Sequence, residues 1–152
     1  MEKLLTDDVA VVTGASNGIG RAIAINMANH GANLICADIQ EDPRDNSQPT
    51  HQVINNNCQS QALFVSCDVS KPSEIGHAVG TAIDEFGKID SMVNNAGIAR
   101  DIDFIDVNER DYYNLMDINT KGVFFGAQAA AKRMIEQNSG SIINISSITG
   151  II

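Results

Sequence analysis

A doubly wound, Rossmann-like α/β domain with a parallel sheet between two helical layers is the fold class this sequence predicts, on three observations. Short apolar runs that suit strands alternate with longer segments of helical spacing. The first run, Val9-Ala10-Val11-Val12, passes directly into a glycine-rich stretch, Thr13-Gly14-Ala15-Ser16-Asn17-Gly18-Ile19-Gly20, and then into a helical pattern. Polar residues (Asp38, Asp68, Asn94 and Asn95) stand at the ends of successive runs, where a parallel sheet presents its carboxyl edge. Strands in such an alternation are joined by right-handed crossovers, and both faces of the sheet become buried.

The elements follow in order. Ile19, Ile23 and Met27 mark the apolar face of a first helix that runs to His30-Gly31. Residues 32–37 form a second strand, ending at Asp38. The next stretch carries Pro43, Pro49 and an asparagine run at residues 55–57, and reads as a surface excursion with a short helix near Thr50–Asn57. Residues 62–67 are strand three. Ser70 is the expected cap of a helix with Pro72 in its first turn, with Ile75, Val79, Ala82, Ile83 and Phe86 on its inner face and Gly87 at its end. Residues 89–93 give strand four. Asn108 caps one long helix with Tyr112, Met116, Val123, Ala127, Ala131 and Met134 on one side, closed by Asn138-Ser139-Gly140. Residues 141–145 are strand five, apolar on both faces.

At 152 residues the chain is one domain, 1–152, able to bury roughly 70% of its unfolded surface. Ten basic against nineteen acidic residues leave a formal charge of −9, which disfavours nucleic acid and anionic lipid as partners. No apolar run reaches membrane-spanning length, and the first residues are too short and acidic for a secretory signal. Cys36, Cys58 and Cys67 are odd in number and lack C-x-x-C spacing, which suits free thiols in a reducing cytoplasm. The three histidines have no metal-ligand spacing, so no metal is expected.

The glycine stretch carries the strongest chemical signal. Gly14 permits a sharp turn with positive φ, Gly18 lets backbone approach a pyrophosphate, and Gly20 allows close packing of helix on strand. The helix that follows directs free N–H groups and its positive end at the phosphates. The spacing is G-x-x-x-G-x-G, which differs from the common G-x-G-x-x-G. Asp38, eighteen residues past Gly20, stands where an acid accepts hydrogen bonds from an adenosine ribose and repels a 2′-phosphate; a solvated loop acid is the alternative. Asp68 suits either an adenine contact or a helix cap. The amides of Asn94-Asn95-Ala96-Gly97 can hold neighbouring backbone and leave room for a flat ring, or stabilise a plain turn. Asn119 interrupts an apolar stretch, and as a mid-helix amide it is either exposed or bends the helix and binds a water. Ser146 and Ser147 are hydroxyls at the end of strand five, where a substrate carbonyl could sit.

Together these residues resemble the short-chain dehydrogenase/reductase family, in particular its 3-oxoacyl-carrier-protein reductase-like and alcohol dehydrogenase-like members. The matches are T-G-x-x-x-G-I-G at 13–20, Asp68-Val69, N-N-A-G at 94–97, Asn119, and I-N-I-S-S at 143–147. The resemblance implies NAD(P)-dependent interconversion of an alcohol and a carbonyl. It implies cofactor contacts from Gly14, Ser16, Asn17, Gly18, Ile19, Gly20, Asp38, Asp68, Val69, Asn95, Ala96 and Gly97. Ser147 takes the role of polarising the substrate oxygen, and Asn119 that of holding a water in a proton relay. Asp38, supported by Asn17, points to NAD over NADP, with Arg44 the residue able to reverse that preference. The substrate is a small carbonyl or alcohol, and the long helix packs against another subunit in a homo-oligomer, a dimer or tetramer.

The family's Tyr and Lys, in a Y-x-x-x-K motif on the helix after strand five, have no counterpart here: Tyr112 is followed four places on by Met116, and Tyr113 by Asp117. Two readings account for this, a piece of a longer oxidoreductase whose C-terminal strands lie elsewhere, or a short form that binds nucleotide without turnover. The first is expected, because Ser147 and Asn119 are retained although neither acts alone. A methyltransferase also places a glycine turn and an acid in these positions, but Asn94–Gly97 and the serine pair argue against it.

Overall fold

The computed structural model describes residues 3–147. Five strands, β1 (Val9–Thr13), β2 (Asn33–Asp38), β3 (Ala62–Ser66), β4 (Ser91–Asn94) and β5 (Ser141–Asn144), form one parallel sheet in the order β3-β2-β1-β4-β5. The helices are α1 (Gly18–Asn29), α2 (Thr50–Asn57), α3 (Pro72–Phe86), α4 (Glu109–Met116) and α5 (Val123–Gln137). A 3₁₀ turn spans Phe104–Asp106, and a π-helical segment, Asp117–Gly122, joins α4 to α5.

The central strands β1, β2 and β4 are buried without alternation because both faces are covered. Ala10, Val12, Leu34, Cys36 and Val93 pack with Ala24 and Ala28 of α1 and Ile54 of α2. Val9, Val11, Ile35 and Met92 pack on the opposite face with Ile75 and Val79 of α3 and Ala130 and Met134 of α5. Each large side chain so buried contributes about 1.5–3 kcal/mol relative to exposure. Strand order reverses at β1, with β2 on one side and β4 on the other. Successive crossovers therefore leave in opposite directions, and a crevice opens beyond the carboxyl ends of β1 and β4.

Several elements differ from the sequence expectation. The inner face of α1 is Gly20, Ala24 and Ala28, while Ile19 is 64% exposed and Ile23 and Met27 are only partly buried. Small residues let this helix lie close on the sheet, so the bulky stripe falls to one side. Ser70 does not cap α3. Lys71 holds that position, and Ser70 instead donates its N–H (3.0 Å) and Oγ–H (2.7 Å) to Asp68 Oδ1. Asn108 does cap α4, accepting from the Asp111 N–H at 3.0 Å.

The long helix is broken into α4, the π segment and α5, which re-phases its faces. The buried positions become Gly122, Gly126, Ala130 and Met134, not Ala127 and Ala131, and Tyr112 is 52% exposed. β5 is an edge strand of the five, with Ile142 and Ile143, and Ile145 just beyond it, each about 40% exposed.

Two helical glycines separate packing from propensity. A Cβ on Gly126 would fall 2.0 Å from Asn94 Oδ1, and Asn94 is buried and anchored to Asn144 at 2.9 Å. One on Gly76 would meet nothing within 4 Å. Gly126→Ala is expected to destabilise by about 2 kcal/mol or more, and Gly76→Ala to stabilise by about 0.5–1 kcal/mol, both read by urea unfolding. Equal effects would contradict the packing described.

Candidate functional site

The turn after β1 is locked to the turn after β4. The buried Thr13 hydroxyl donates to the Val93 carbonyl (3.3 Å) and accepts the N–H groups of Asn95 and Ala96 (3.0 Å each). Asn95 Nδ2 in turn donates to the carbonyls of Thr13 (2.9 Å) and Gly14 (3.3 Å). This contact dictates two of the three glycines. A Cβ on Gly14, at φ +67°, would fall 2.9 Å from Asn95 Nδ2; one on Gly20 would fall 2.1 Å from the Gly14 carbonyl oxygen. Gly18 has φ +52° but open space where its Cβ would stand. Its side is the one left free for something to approach.

Asn17 occupies the cap position of α1 without capping it, because its Oδ1 accepts the Arg44 N–H at 2.7 Å. The first N–H groups of α1 have no helical acceptor, and they open at the crevice. Asp38 is half-buried; its Oδ2 accepts the Ser16 N–H at 2.9 Å. Across the crevice, Asp68 closes the turn into α3. Ser70 and the Lys71 ammonium (3.5 Å) face its carboxylate, and its own N–H donates to Glu74 Oε2 at 2.7 Å. The Ser70 hydroxyl above all, and then its N–H and Lys71, hold the Asp68 carboxyl below its ordinary value. Asp68 thus serves the turn before α3, with an edge still on the crevice.

A cleft of about 590 Å³ occupies this crevice, a size in the range of small-molecule sites. Of the twelve residues expected to hold a cofactor, Gly14, Asn17, Gly18, Ile19, Asp38, Asp68, Val69, Asn95, Ala96 and Gly97 line it. Ser16 and Gly20 are buried behind the wall. The lining also includes Ile39, Gln40, Arg44, Ile98, Asn114 and Ile118, of which the sequence points only to Arg44. Arg44 lies in an irregular loop and Asn114 and Ile118 on the interrupted helix, so no motif spacing marks them. Thr13 stood in the glycine motif, but nothing in the pattern announced its double acceptance from Asn95 and Ala96.

Asn119 lies in the π segment, partly buried and hydrogen-bonded. Its Oδ1 accepts the Ile98 N–H (2.9 Å) and its Nδ2 donates to the Ile98 carbonyl (2.8 Å), tying the loop after Gly97 to the helix. Ser147 is exposed, three residues beyond β5, and does not line the cleft. The three cysteines are free. Burial pushes the Cys36 and Cys67 thiols up to about 12, with nearby carboxylates adding to the effect at Cys67. These two are poor nucleophiles at neutral pH. Among the described residues no group of His, Cys, Asp and Glu could hold a metal ion, and no helix is long and apolar enough to cross a membrane.

The sheet order and the glycine turn at its reversal point define a Rossmann-like α/β domain. Residues 8–152 match the family model described as short chain dehydrogenase. The chain belongs to that family. It is 36% identical over 147 residues to a 3-oxoacyl-[acyl-carrier-protein] reductase of Synechocystis, covering 97% of this chain and 58% of the relative. A mitochondrial borneol dehydrogenase of Lavandula x intermedia is 38% identical over 146 residues, or 94% of this chain and 52% of the relative. A crystal structure of a short-chain type dehydrogenase/reductase from Mycobacterium marinum superposes with a TM-score of 0.89 at 34% identity, over 97% of this chain and 59% of that one. The chain therefore spans little more than half the length of these relatives.

The Asp68 geometry sets a pH dependence. A carboxyl held low in the folded state contributes stability that is present above its unfolded value of 3.8 and is lost as pH falls through the folded value. Ser70→Ala is expected to raise the Asp68 pKa in an NMR titration and to cost stability at pH 7, with the difference from wild type shrinking as pH falls through the folded value. A mutant whose difference from wild type is the same at neutral and at acid pH would exclude the Ser70–Asp68 bond as the cause.

Proposed function

We propose that the whole protein is an NAD(P)-dependent oxidoreductase interconverting an alcohol and a ketone or aldehyde, with NAD preferred, and that this chain supplies its dinucleotide-binding part. The observation that carries the reading is the cleft itself. The open side of Gly18, the first amides of α1, the Asp38 carboxylate and the Asn95–Gly97 backbone all meet there, at the reversal point of the sheet. Gly18 and the α1 amides fit a pyrophosphate, and Asp38 fits an adenosine ribose. Gly97, Ile98 and Ile118 offer a surface for a flat ring. A bound nicotinamide dinucleotide would supply the hydride acceptor or donor.

The remaining chemistry falls to side chains. Ser147 donates its hydroxyl to the substrate oxygen as charge develops there. Asn119 has committed one donor and one acceptor to Ile98, so a relay water near it is held by its second Nδ2 proton, its second Oδ1 lone pair or backbone in the π segment. Proton delivery needs a further acid at a suitable pKa, which the Tyr and Lys of the family resemblance would provide. This chain has no such pair, so residues 1–152 alone are expected to be inactive. The alternative reading is a nucleotide-binding module without turnover. Tyr112, Tyr113, Phe124 and Ile135, all more than half exposed along α4 and α5, support a homo-oligomer. The free buried thiols support a reducing cytoplasm.

The test is NADH oxidation with a panel of ketones, by the whole protein and by residues 1–152. Turnover in the first and none in the second is expected; binding of NADH without turnover by the whole protein would select the module. In the active protein, Ser147→Ala should lower kcat by about 100-fold or more, a transition-state contact of about 3 kcal/mol, with little change in NADH affinity. Ser146→Ala should change kcat far less, and the reverse order would move the role to Ser146.

A further inference from the structure

Thr50 opens α2, yet its hydroxyl does not serve that helix. The residue is 2% exposed, and its Oγ–H donates to the Ala15 carbonyl of the glycine turn at 2.8 Å. The Thr50 oxygen in turn accepts from Arg21 Nη1 at 2.9 Å, while Arg21 Nη2 donates to the Gln48 carbonyl at 2.8 Å. A guanidinium can only donate. With Arg21 on one side of the oxygen, the Thr50 proton has to point at Ala15. α2 is a fixed base for this contact. Ile54 is fully buried beneath it, and the Asn55 side chain brackets Ala62 of β3 by both backbone groups, at 2.8 and 2.9 Å.

The Ala15 carbonyl shares a peptide plane with the Ser16 N–H, and in a trans peptide the two point in opposite directions. That N–H donates to Asp38 Oδ2 at 2.9 Å. One rigid plane therefore carries the Thr50 contact to the acid at the cleft. The bonds from Ser16 Oγ to the Gln40 carbonyl (2.5 Å) and from the Ala15 N–H to the Ala37 carbonyl (3.3 Å) hold neighbouring groups, not this plane. Asp38 Oδ1 has only a long contact with the Gln40 N–H, at 3.4 Å, and keeps capacity for further donors. Without the Thr50 bond the plane is free to turn, and Asp38 loses the donor that fixes the direction of its carboxylate.

Building on the dinucleotide reading of this cleft, we propose that Thr50 is a positioning residue for the ribose end of the site. Through the Ala15–Ser16 peptide it holds Asp38 so that Oδ1 is presented to the hydroxyls of an adenosine ribose. Arg21 sets the direction of the Thr50 proton. Neither Thr50 nor Arg21 lines the cleft, so both act through the turn. Loss of the Thr50 hydroxyl weakens the ribose contact and leaves the pyrophosphate end, at Gly18 and the first amides of α1, as it was.

Calorimetric titration of the whole protein with ADP and with 2′,3′-dideoxy-ADP tests this, because the two probes differ only in the ribose hydroxyls. Wild type is expected to bind ADP about tenfold or more tightly than the dideoxy probe. Thr50→Val, which keeps the shape and removes the hydroxyl, should cut that ratio to about threefold or less, chiefly by weakening ADP. Thr50→Ser should restore it. In an Asp38→Ala background, Thr50→Val should weaken ADP no further. Arg21→Met, at a partly buried position, should narrow the ratio in the same direction, and it takes the place of Thr50→Val if that variant does not fold. A Thr50→Val protein that loses affinity for both probes equally, or for neither, would overturn the proposal and leave the nucleotide site standing. So would a further loss on top of Asp38→Ala. Equal binding of both probes by wild type would overturn the ribose assignment and the proposal with it. Failure of wild type to bind ADP would overturn the cleft reading itself.

Discussion

The Thr13 hydroxyl is the contact on which the cleft depends. A single buried oxygen joins the strand before the glycine turn to the backbone of the Asn95 turn, and so fixes the separation of the two strands at which the sheet order reverses. Asn95 completes the junction by reaching back to the carbonyls of Thr13 and Gly14. The glycine motif is largely a consequence. Gly14 and Gly20 are required because Asn95 and the turn itself fill the space of a Cβ, whereas Gly18 is required by its backbone angle alone. One pattern in the sequence thus records two constraints, one internal and one facing the cleft.

The same logic repeats on the far side of the cleft. Asn119 holds Ile98 by both backbone groups from within a π segment, and the interruption that presents it also re-phases the helix beneath. α5 therefore meets the sheet through Gly126, Ala130 and Met134, with small residues at the closest approach. The buried Asn94 occupies the room that Gly126 vacates and pairs with Asn144 of β5. Amides serve this region because they can donate and accept at once, and so leave no buried polar group unmet.

β1, β2 and β4 were legible in the sequence because they are buried on both faces and read as near-continuous apolar runs. α2 was legible from Pro49 and the apolar pair Val53 and Ile54, and the end of α3 from Gly87, which adopts φ +81°. The faces of α1 and of most of α5 were not, because they contact the sheet largely through Gly and Ala, which give a weak hydrophobic signal, while Ile19 of α1 and Tyr112 of α4 point outward. Met134 is the large side chain that the pattern did place on the buried side. Ser70 looked like a cap by residue type, but Asp68 two places earlier takes its donors first. In the site, the glycine turn, Asp38 and the Asn95 turn converge as their positions at strand ends suggested. Arg44 and Asn114 reach the cleft from a loop and an interrupted helix, where no period constrains position.

Substituting Thr13 with Val, which keeps the shape and removes the hydroxyl, tests the central claim most directly. It strands the N–H groups of Asn95 and Ala96, at a cost of about 1–3 kcal/mol for a buried unmet donor. NADH affinity, followed by fluorescence titration of the whole protein, is expected to fall about tenfold or more, and Thr13→Ser, which restores the hydroxyl, to retain most of it. A Val variant that binds NADH as tightly as wild type would contradict the account, because the cleft would then keep its form without the bond said to define it.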